Sequence, residues 1–175
     1  MKKKKLFLTL IIYLSKTMRM WSISPIYIGG FPFFVGKKES DYHALVALWK
    51  ESIQAINVIK NKAGYFNHSG LTRFKKTGQP LNALAEYLRP IYKHATENCH
   101  YNFNKELIPD LYYKEKIPVT KGQIEYEFDF YLGKLYNRKK KSLLKKLANI
   151  DINDIKIHPL FYLIEGQIEN WERIK

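Results

Sequence analysis

Glu51 is the residue of this sequence whose surroundings are best suited to chemistry. It lies in a segment, residues 44–61, whose apolar positions recur every three or four residues, the spacing of a buried helical face. At about 100° per residue, Glu51 falls on the flank of that face, among small side chains such as Ala47 and Ala55. No basic residue stands three or four positions from it. A reacting group could approach such a carboxylate, although a solvated boundary glutamate fits the same pattern.

Three helices are expected to position this carboxylate. The first has a buried face comprising Leu45, Leu48, Trp49, Ile53, Ile56 and Ile59, opposite a wet face of Lys50, Gln54, Asn57 and Asn61. The second begins near Pro80, and its buried side comprises Leu81, Leu84, Leu88 and Ile91. The third runs from about Lys121 to Tyr136, and its buried side comprises Ile124, Phe128, Tyr131 and Leu135. With a short helix near 142–149, the prediction is an all-α fold: a compact single-domain helical bundle with long irregular connections.

The composition limits the classes of partner. At 175 residues the chain is long enough for one domain with its own core. Its 30 lysines and arginines against 16 acidic residues give a formal charge of +14, which favours nucleic acid or an anionic membrane surface as partner. The single cysteine, Cys99, excludes an intramolecular disulfide. His94, His100 and His158 lack the spacing of metal ligands, so neither a metal nor another cofactor is expected.

Residues 1–17 raise the question of where the working protein begins. Four lysines precede an apolar run from Leu6 to Leu14, a pattern similar to the start of a signal peptide. The run is too short to span a bilayer, which takes about 20 residues. Ser15, Lys16 and Thr17 offer no small-x-small cleavage site. We therefore expect an upstream start codon or a dispensable extension, with export by this segment as the alternative.

Six sequence blocks follow one another along the rest of the chain. They are MRMWSISPIY (18–27), HALVALWKES (43–52), GYFNHSGLTRF (64–74), YNFNKELI (101–108), IPVTKGQIEYEF (117–128) and HPLFYLIEG (158–166). In content and order these blocks resemble the pyrimidine-dimer DNA glycosylase family, the phage endonuclease V-like proteins, which implies a helical fold. The resemblance begins at Met18 and divides the chain into an N-terminal extension (1–17) and a glycosylase-like domain (18–175).

The resemblance implies a DNA glycosylase with AP-lyase activity, which excises cyclobutane pyrimidine dimers from duplex DNA. That chemistry needs an amine to attack C1′ of the deoxyribose and form a Schiff base, and a carboxylate to assist. A terminal α-amine suits the attack because its pKa, about 7.7 to 8.0, leaves a neutral fraction at physiological pH. By the resemblance, the amine belongs to Met18 and the carboxylate to Glu51. If residues 1–17 stay attached, the nitrogen of Met18 is an amide and the enzyme is inactive.

The resemblance also supplies candidate DNA-binding residues in the first three blocks. Arg19 lies beside the expected nucleophile, with a surface charge as the alternative. Lys50 stands where many members have arginine, which keeps the charge but loses the bidentate fork for a phosphate. His68 and Arg73 match the third block, and His68 either donates to a phosphate or caps the local turn.

Further along the chain, Lys134 and Arg138 match a basic pair of the family, and residues 139–141 extend it with three lysines. Trp21, Tyr65 and Trp171 could wedge into or stack on DNA, although such aromatics are more often core residues. The expected partner is therefore double-stranded DNA containing pyrimidine dimers, bound by a cytoplasmic monomer without membrane association. Three alternatives stay open: a non-catalytic nucleic-acid-binding protein, a membrane-associated or exported protein, and a glycosylase for another lesion.

Overall fold

The computed structural model of this protein describes residues 42–147 and 150–172. Its elements in chain order are helix α1 (Tyr42–Asn61), the short helix α2 (Thr72–Lys75), helix α3 (Pro80–Glu97), strand β1 (Ile117–Thr120), helix α4 (Lys121–Asn137), helix α5 (Lys141–Leu147) and strand β2 (Phe161–Ile164). Single 3-10 turns lie in the connections, at Tyr65–Asn67, Ser69–Leu71, Lys105–Leu107 and Ile152–Asp154. The predicted extension, Met18 and Arg19 lie outside the described residues, so the domain boundary at Met18 stays a prediction.

Helices α1 and α3 pack along each other and form the frame of the described structure. The predicted apolar face of α1 is buried except for the partly covered Ile53, and its predicted polar face is exposed. Helix α3 begins at Pro80, whose fixed φ suits the first helical turn. Leu84 and Leu88 of α3 are fully buried. The two amphipathic patterns are therefore confirmed, since each helix buries the predicted stripe.

Helix α4 is delimited by local signals at both ends. At its start, the hydroxyl Oγ1 of Thr120 accepts a hydrogen bond of 3.2 Å from the backbone N–H of Gln123. At its end, the N–H of Lys140 donates to the carbonyl of Leu135 at 3.0 Å, and Lys139 takes a positive φ of 56°. This reversal leads directly into α5, which packs against α4.

The prediction of an all-α fold is wrong in one respect, because the mostly helical structure also contains a small sheet. Strands β1 and β2 pair in parallel, with Ile117 opposite Phe161 and Thr120 opposite Ile164. Each strand has only four residues, the minimum length for an alternating pattern, and only β1 alternates between buried and less buried residues. The two strands are also separated by α4 and α5, so their pairing cannot be deduced from local periodicity. Pro118 is tolerated because β1 has a free edge in this two-stranded sheet.

The sheet meets the helices in an aromatic core centred on Tyr87 of α3, whose side chain is fully buried. The ring of His158 stacks on Tyr87 with centroids 4.4 Å apart. Phe74 of α2 and Phe161 of β2 meet the Tyr87 ring edge-on, at centroid distances of 5.7 and 6.2 Å. This cluster fixes α2, α3 and β2 relative to one another and so positions the polar groups beside it.

Candidate functional site

Glu51 lies half-buried on α1, at the border of the buried face of this helix. On the same flank, Ala44 and Ala55 are buried, and Ala47 is partly covered. The neighbouring Ser52 is fully buried, and its hydroxyl donates to the carbonyl of Leu48 at 2.6 Å. The carboxylate is thus carried by a rigid helix and flanked by small side chains, as the helical phase predicted.

Tyr87 links Glu51 electrostatically to a buried set of charges. Burial raises the pKa of the Tyr87 phenol well above its usual value. The negative charge of Glu127 raises this pKa further, the positive charge of Arg73 lowers it, and the charge of Glu51 raises it. Because such interactions weaken with distance, the three charges lie in the neighbourhood of one buried phenol. Tyr87 therefore stays protonated at physiological pH.

Arg73 and Glu127 form an ion pair inside the protein. Nη2 of Arg73 donates to Oε1 of Glu127 at 2.7 Å, and each side chain is only 3% exposed. The guanidinium carbon of Arg73 lies 4.8 Å from the ring centroid of Trp171 and 5.7 Å from that of Phe161. The charge of Arg73 is thus held by one carboxylate and two aromatic rings, in the same region as Tyr87.

Gln123 extends this pair to the C-terminus of the described chain. Its Nε2 donates to Oε1 of Glu127 at 3.1 Å and to Oε2 of Glu172 at 2.7 Å, and its Oε1 accepts from the N–H of Glu169 at 3.1 Å. Nearby, Oγ1 of Thr120 donates to the carbonyl of Gln167 at 2.7 Å. These bonds hold residues 165–172, hereafter the C-terminal segment, against the start of α4. Arg73, Gln123, Glu127 and Glu172 together are called the polar centre below.

Of the polar centre, only Arg73 was among the predicted site residues, and it was predicted to bind DNA. The sequence contains a sign of buried polar residues on this helix. Gln123 and Glu127 are four residues apart, and each directly precedes an apolar residue of the buried face, Ile124 or Phe128. Polar residues on the buried side of a helix require partners, since an unpaired buried charge is strongly unfavourable. The identity of those partners could not be deduced, because Arg73 precedes Glu127 by 54 residues.

The predicted DNA-binding residues of the third block have structural roles. Nδ1 of His68 accepts a hydrogen bond of 3.0 Å from the N–H of Gly70 and caps the turn Ser69–Leu71. Its Nε2 therefore carries the ring proton, because Nδ1 is occupied as an acceptor. Arg73 is only 4% exposed, so its side chain interacts with the protein interior. Phosphate contacts by His68 and Arg73 stay predictions. Lys50, the predicted DNA-binding residue of the second block, is exposed on α1 beside Glu51.

A basic surface forms where α4 ends and α5 begins. Lys134 lies in the last turn of α4, and Arg138 directly follows this helix. The exposed Lys139 lies between the two helices, and the exposed Lys141, Lys145 and Lys146 belong to α5. The ammonium group of Lys134 lies 4.9 Å from the ring centroid of Phe130. A cleft of about 470 Å³ opens here beside Tyr136. These basic residues, which follow one another from the end of α4 through α5, are hereafter called the basic surface, and their contact with DNA stays a prediction.

The buried histidines and the cysteine serve the core. Nε2 of His158 donates to the carbonyl of Tyr87 at 2.9 Å, and its Nδ1 accepts from the N–H of Leu160 at 3.1 Å. Burial lowers the pKa of His158 to about 3, although the bond to Tyr87 acts in the opposite direction. Nε2 of His94 lies 3.4 Å from Sγ of Cys99. Burial raises the pKa of this thiol and lowers that of His94, which leaves both neutral at physiological pH.

The fold and the site define a class: a basic, mostly helical protein with a half-buried candidate acid–base carboxylate. Residues 38–109 match the family model described as pyrimidine dimer DNA glycosylase. This match supports the suspected family, and it contains the three sequence blocks 43–52, 64–74 and 101–108. Lys50, Glu51, His68 and Arg73 all lie within the matched residues. No curated protein and no solved structure matches the chain.

The described residues contain neither a candidate metal site nor a candidate membrane span. Among them, no group of three or more His, Cys, Asp or Glu side chains is arranged to hold a metal ion. No helix in residues 42–147 or 150–172 combines the length and apolar character needed to cross a bilayer.

Proposed function

We propose that this protein is a DNA glycosylase with AP-lyase activity that excises cyclobutane pyrimidine dimers from duplex DNA. The observation that carries the proposal is the family match over residues 38–109, within which Glu51 lies half-buried on a rigid helix. The strong positive charge of the chain and its basic surface support a polyanionic partner. The protein acts as a cytoplasmic monomer in this proposal and needs no metal.

The reaction begins with a free α-amine at Met18. The amine attacks C1′ of the deoxyribose, the glycosidic bond breaks, and its electron pair leaves with the base. The bound nitrogen then loses a proton, and its electron pair expels the ring oxygen O4′ from C1′. The oxygen takes up a proton to become the C4′ hydroxyl, and a protonated Schiff base is left between the nitrogen and C1′. An amide nitrogen has no lone pair available for this attack, so the chain must start at Met18 for catalysis. Residues 1–17 would otherwise keep the protein inactive.

Glu51 has two roles in the proposed reaction. Its negative charge stabilises the positive charge that develops on the sugar as the base leaves. It then removes a proton from C2′ of the Schiff base, and β-elimination breaks the bond between C3′ and its phosphate oxygen. The helix that carries Glu51 restricts its carboxylate to a narrow range of positions.

DNA binding would combine nonspecific attraction with distortion of the duplex. The basic surface and Lys50 supply positive charge for phosphates, so affinity should fall as salt concentration rises. The scissile bond of a damaged nucleotide is shielded within the base stack, and cleavage therefore requires the duplex to open locally. A contact of Lys50 with a phosphate next to the lesion would bring the sugar towards Glu51, the following residue of α1.

Borohydride trapping tests the mechanism directly, because reduction of the Schiff base links protein and DNA covalently. The full chain and a chain starting at Met18 are each incubated with duplexes that contain a pyrimidine dimer, an abasic site or no lesion. We expect trapping and nicking of the dimer and abasic duplexes by the chain that starts at Met18, and neither by a full chain that retains residues 1–17.

The remaining outcomes separate the alternatives. Salt-sensitive DNA binding without trapping in either chain would contradict the enzymatic proposal and support a non-catalytic binding protein. Trapping on the abasic duplex but not on the dimer duplex would show lyase chemistry with another lesion as substrate. A panel of duplexes with oxidised or ring-opened purines then identifies that lesion.

A further inference from the structure

A second cleft lies on the described structure, separate from Glu51. It has a volume of about 540 Å³, within the range of roughly 300 to 1,000 Å³ typical of small-molecule sites. Its wall is formed by α2, by the residues before and within β1, by β2 and by the C-terminal segment. The lining side chains that matter here are Arg73, Lys76, Tyr113, Lys116, Tyr162 and Glu169.

Two residues that line this cleft, Arg73 and Glu169, have buried polar atoms with no hydrogen-bond partner among the described residues. The side chain of Arg73 is only 3% exposed. Its Nε and Nη1 are buried and make no hydrogen bond within the described part of the chain. Oε1 of Glu169 is likewise buried without a partner among the described residues, whereas its Oε2 accepts from Nε1 of Trp171. Buried polar atoms without a hydrogen-bond partner are rare in folded proteins, so these atoms of Arg73 and Glu169 require an explanation.

The charges around the cleft argue against a simple anion as ligand. Arg73 already has Glu127 as ion-pair partner, and Glu169 is a second carboxylate in the lining. The lining also contains Lys76, Lys116 and a further carboxylate, Glu115. An additional negative charge would therefore meet nearby carboxylates. A neutral ligand that offers an acceptor to Arg73 and a donor to Glu169 satisfies both residues without that repulsion.

The remaining walls of the cleft suit a flat ring. Tyr113 and the exposed Tyr162 supply aromatic surface, and Ile117, Pro118 and Ile164 supply apolar surface. A nucleobase has the required combination, because its ring presents acceptor oxygens or nitrogens next to N–H donors and its faces stack on aromatic side chains. We propose that this cleft binds a nucleobase, with an acceptor of the base on Arg73 and an N–H of the base on Glu169.

Binding in this manner requires a small movement of the C-terminal segment. The partnerless atoms of Arg73 and Glu169 have almost no accessible surface, and Trp171 lies over the guanidinium. The ligand must therefore displace what covers them, and the C-terminal segment carries both Glu169 and Trp171. The inference does not rest on the proposed glycosylase activity, because a free nucleoside would bind whether or not the protein cuts DNA.

Calorimetric titration of the full chain with thymidine tests the inference. We expect saturable binding, and about tenfold weaker binding of 3-methylthymidine, which keeps both acceptor oxygens but lacks the N–H for Glu169. Glu169→Ala should weaken thymidine binding by about tenfold as well, whereas Glu169→Gln, which retains an acceptor oxygen, should weaken it less. These ligand and variant comparisons avoid changing Arg73, whose loss would endanger folding.

Two control measurements locate the site and identify the class of ligand. Tyr162→Ala should weaken thymidine binding, whereas Tyr112→Ala, a change at a more exposed tyrosine that does not line the cleft, should leave it unchanged. Absence of saturable thymidine binding would overturn the inference, as would equal binding of thymidine and 3-methylthymidine. Displacement of thymidine by millimolar inorganic phosphate or benzoate would show that the cleft is an anion site and would equally overturn it.

Discussion

The guanidinium of Arg73 and the carboxylate of Glu127 lie 2.7 Å apart in the interior and join α2 to α4. Removing two charges from water is unfavourable, so a buried pair is tolerated when hydrogen bonds and good geometry offset its desolvation. Gln123 supplies one such bond to Glu127, and the Trp171 ring covers Arg73. The pair therefore depends on α2, α4 and the C-terminal segment being assembled together.

Removing one partner of this pair should be more damaging than removing both. We expect Glu127→Gln to lower the free energy of unfolding by about 3 to 5 kcal/mol, because it leaves the Arg73 charge buried without its carboxylate. The double variant R73M/E127L should recover much of that loss. Urea denaturation measures both, with Glu125→Gln, an exposed position on the same helix, as control. Equal stability of Glu127→Gln and the control would contradict the prediction.

His158 should make the stability of the protein sensitive to acid. Its pKa is lowered from 6.5 to about 3 in the folded state, chiefly by burial. The unfolded chain therefore binds a proton at pH values where the folded chain does not, so this contribution is complete above about pH 6.5 and is lost as the pH falls towards 3. The expected slope approaches about 1.4 kcal/mol per pH unit.

The variant His158→Phe tests this pH dependence. It keeps an aromatic ring beside Tyr87 but loses the two hydrogen bonds, so we expect lower stability at pH 7 and a shallower decline from pH 6.5 to 4. His100→Asn, a change at an exposed site with a positive φ of 54°, should retain the original slope. Unfolding titrations at several pH values provide the slopes, and identical slopes for all three proteins would contradict the assignment to His158.

Gly122 should be intolerant of any side chain, because α4 and the C-terminal segment approach each other closely there. A Cβ atom at this position would lie 2.8 Å from the carbonyl carbon of Gln167 and 2.9 Å from the nitrogen of Ile168. We expect Gly122→Ala to destabilise the protein by about 1 to 3 kcal/mol and to expose the C-terminal segment to proteolysis. Lys121→Ala, in the same helical turn, serves as control. Unchanged protection of the segment would show that it is not held at Gly122.

Glu51→Gln should abolish most catalysis without weakening DNA binding. The amide keeps the size of the side chain but can neither accept the C2′ proton nor stabilise a positive sugar, so we expect a loss of about 10² to 10⁴ in dimer cleavage by the chain starting at Met18. Gel-shift affinity for the same duplex should change little. Glu97→Gln, an exposed change at the end of α3, is the matched control. Wild-type cleavage by Glu51→Gln would remove Glu51 from the mechanism.

The basic surface should contribute to affinity for any duplex, damaged or not. We expect the double variant K134A/R138A to weaken binding to both and to reduce the slope of log affinity against log salt by about one for each lost phosphate contact. Lys93→Ala, an exposed lysine of α3, tests whether removal of any positive charge has the same effect. An unchanged salt slope in the double variant would place the DNA elsewhere on the protein.

The sequence by itself determined the features that depend on neighbouring residues. The amphipathic spacing of α1 and α3 gave their buried faces, and the helical phase of α1 placed Glu51 on the flank between its two faces. Pro80 marked a helix start, and the charge balance indicated the class of partner. Each of these follows from interactions within a few residues of the chain, which are visible in the order of the amino acids.

The tertiary structure alone decided which distant residues meet. It paired β1 with β2 across two helices, buried Arg73 against Glu127, and closed the C-terminal segment over both. An arginine in a polar turn is equally suited to a phosphate on the surface and to a carboxylate in the interior. Only the packing of α2 against α3 and β2 selects between them, because it removes the guanidinium from water and so requires a buried partner for its charge.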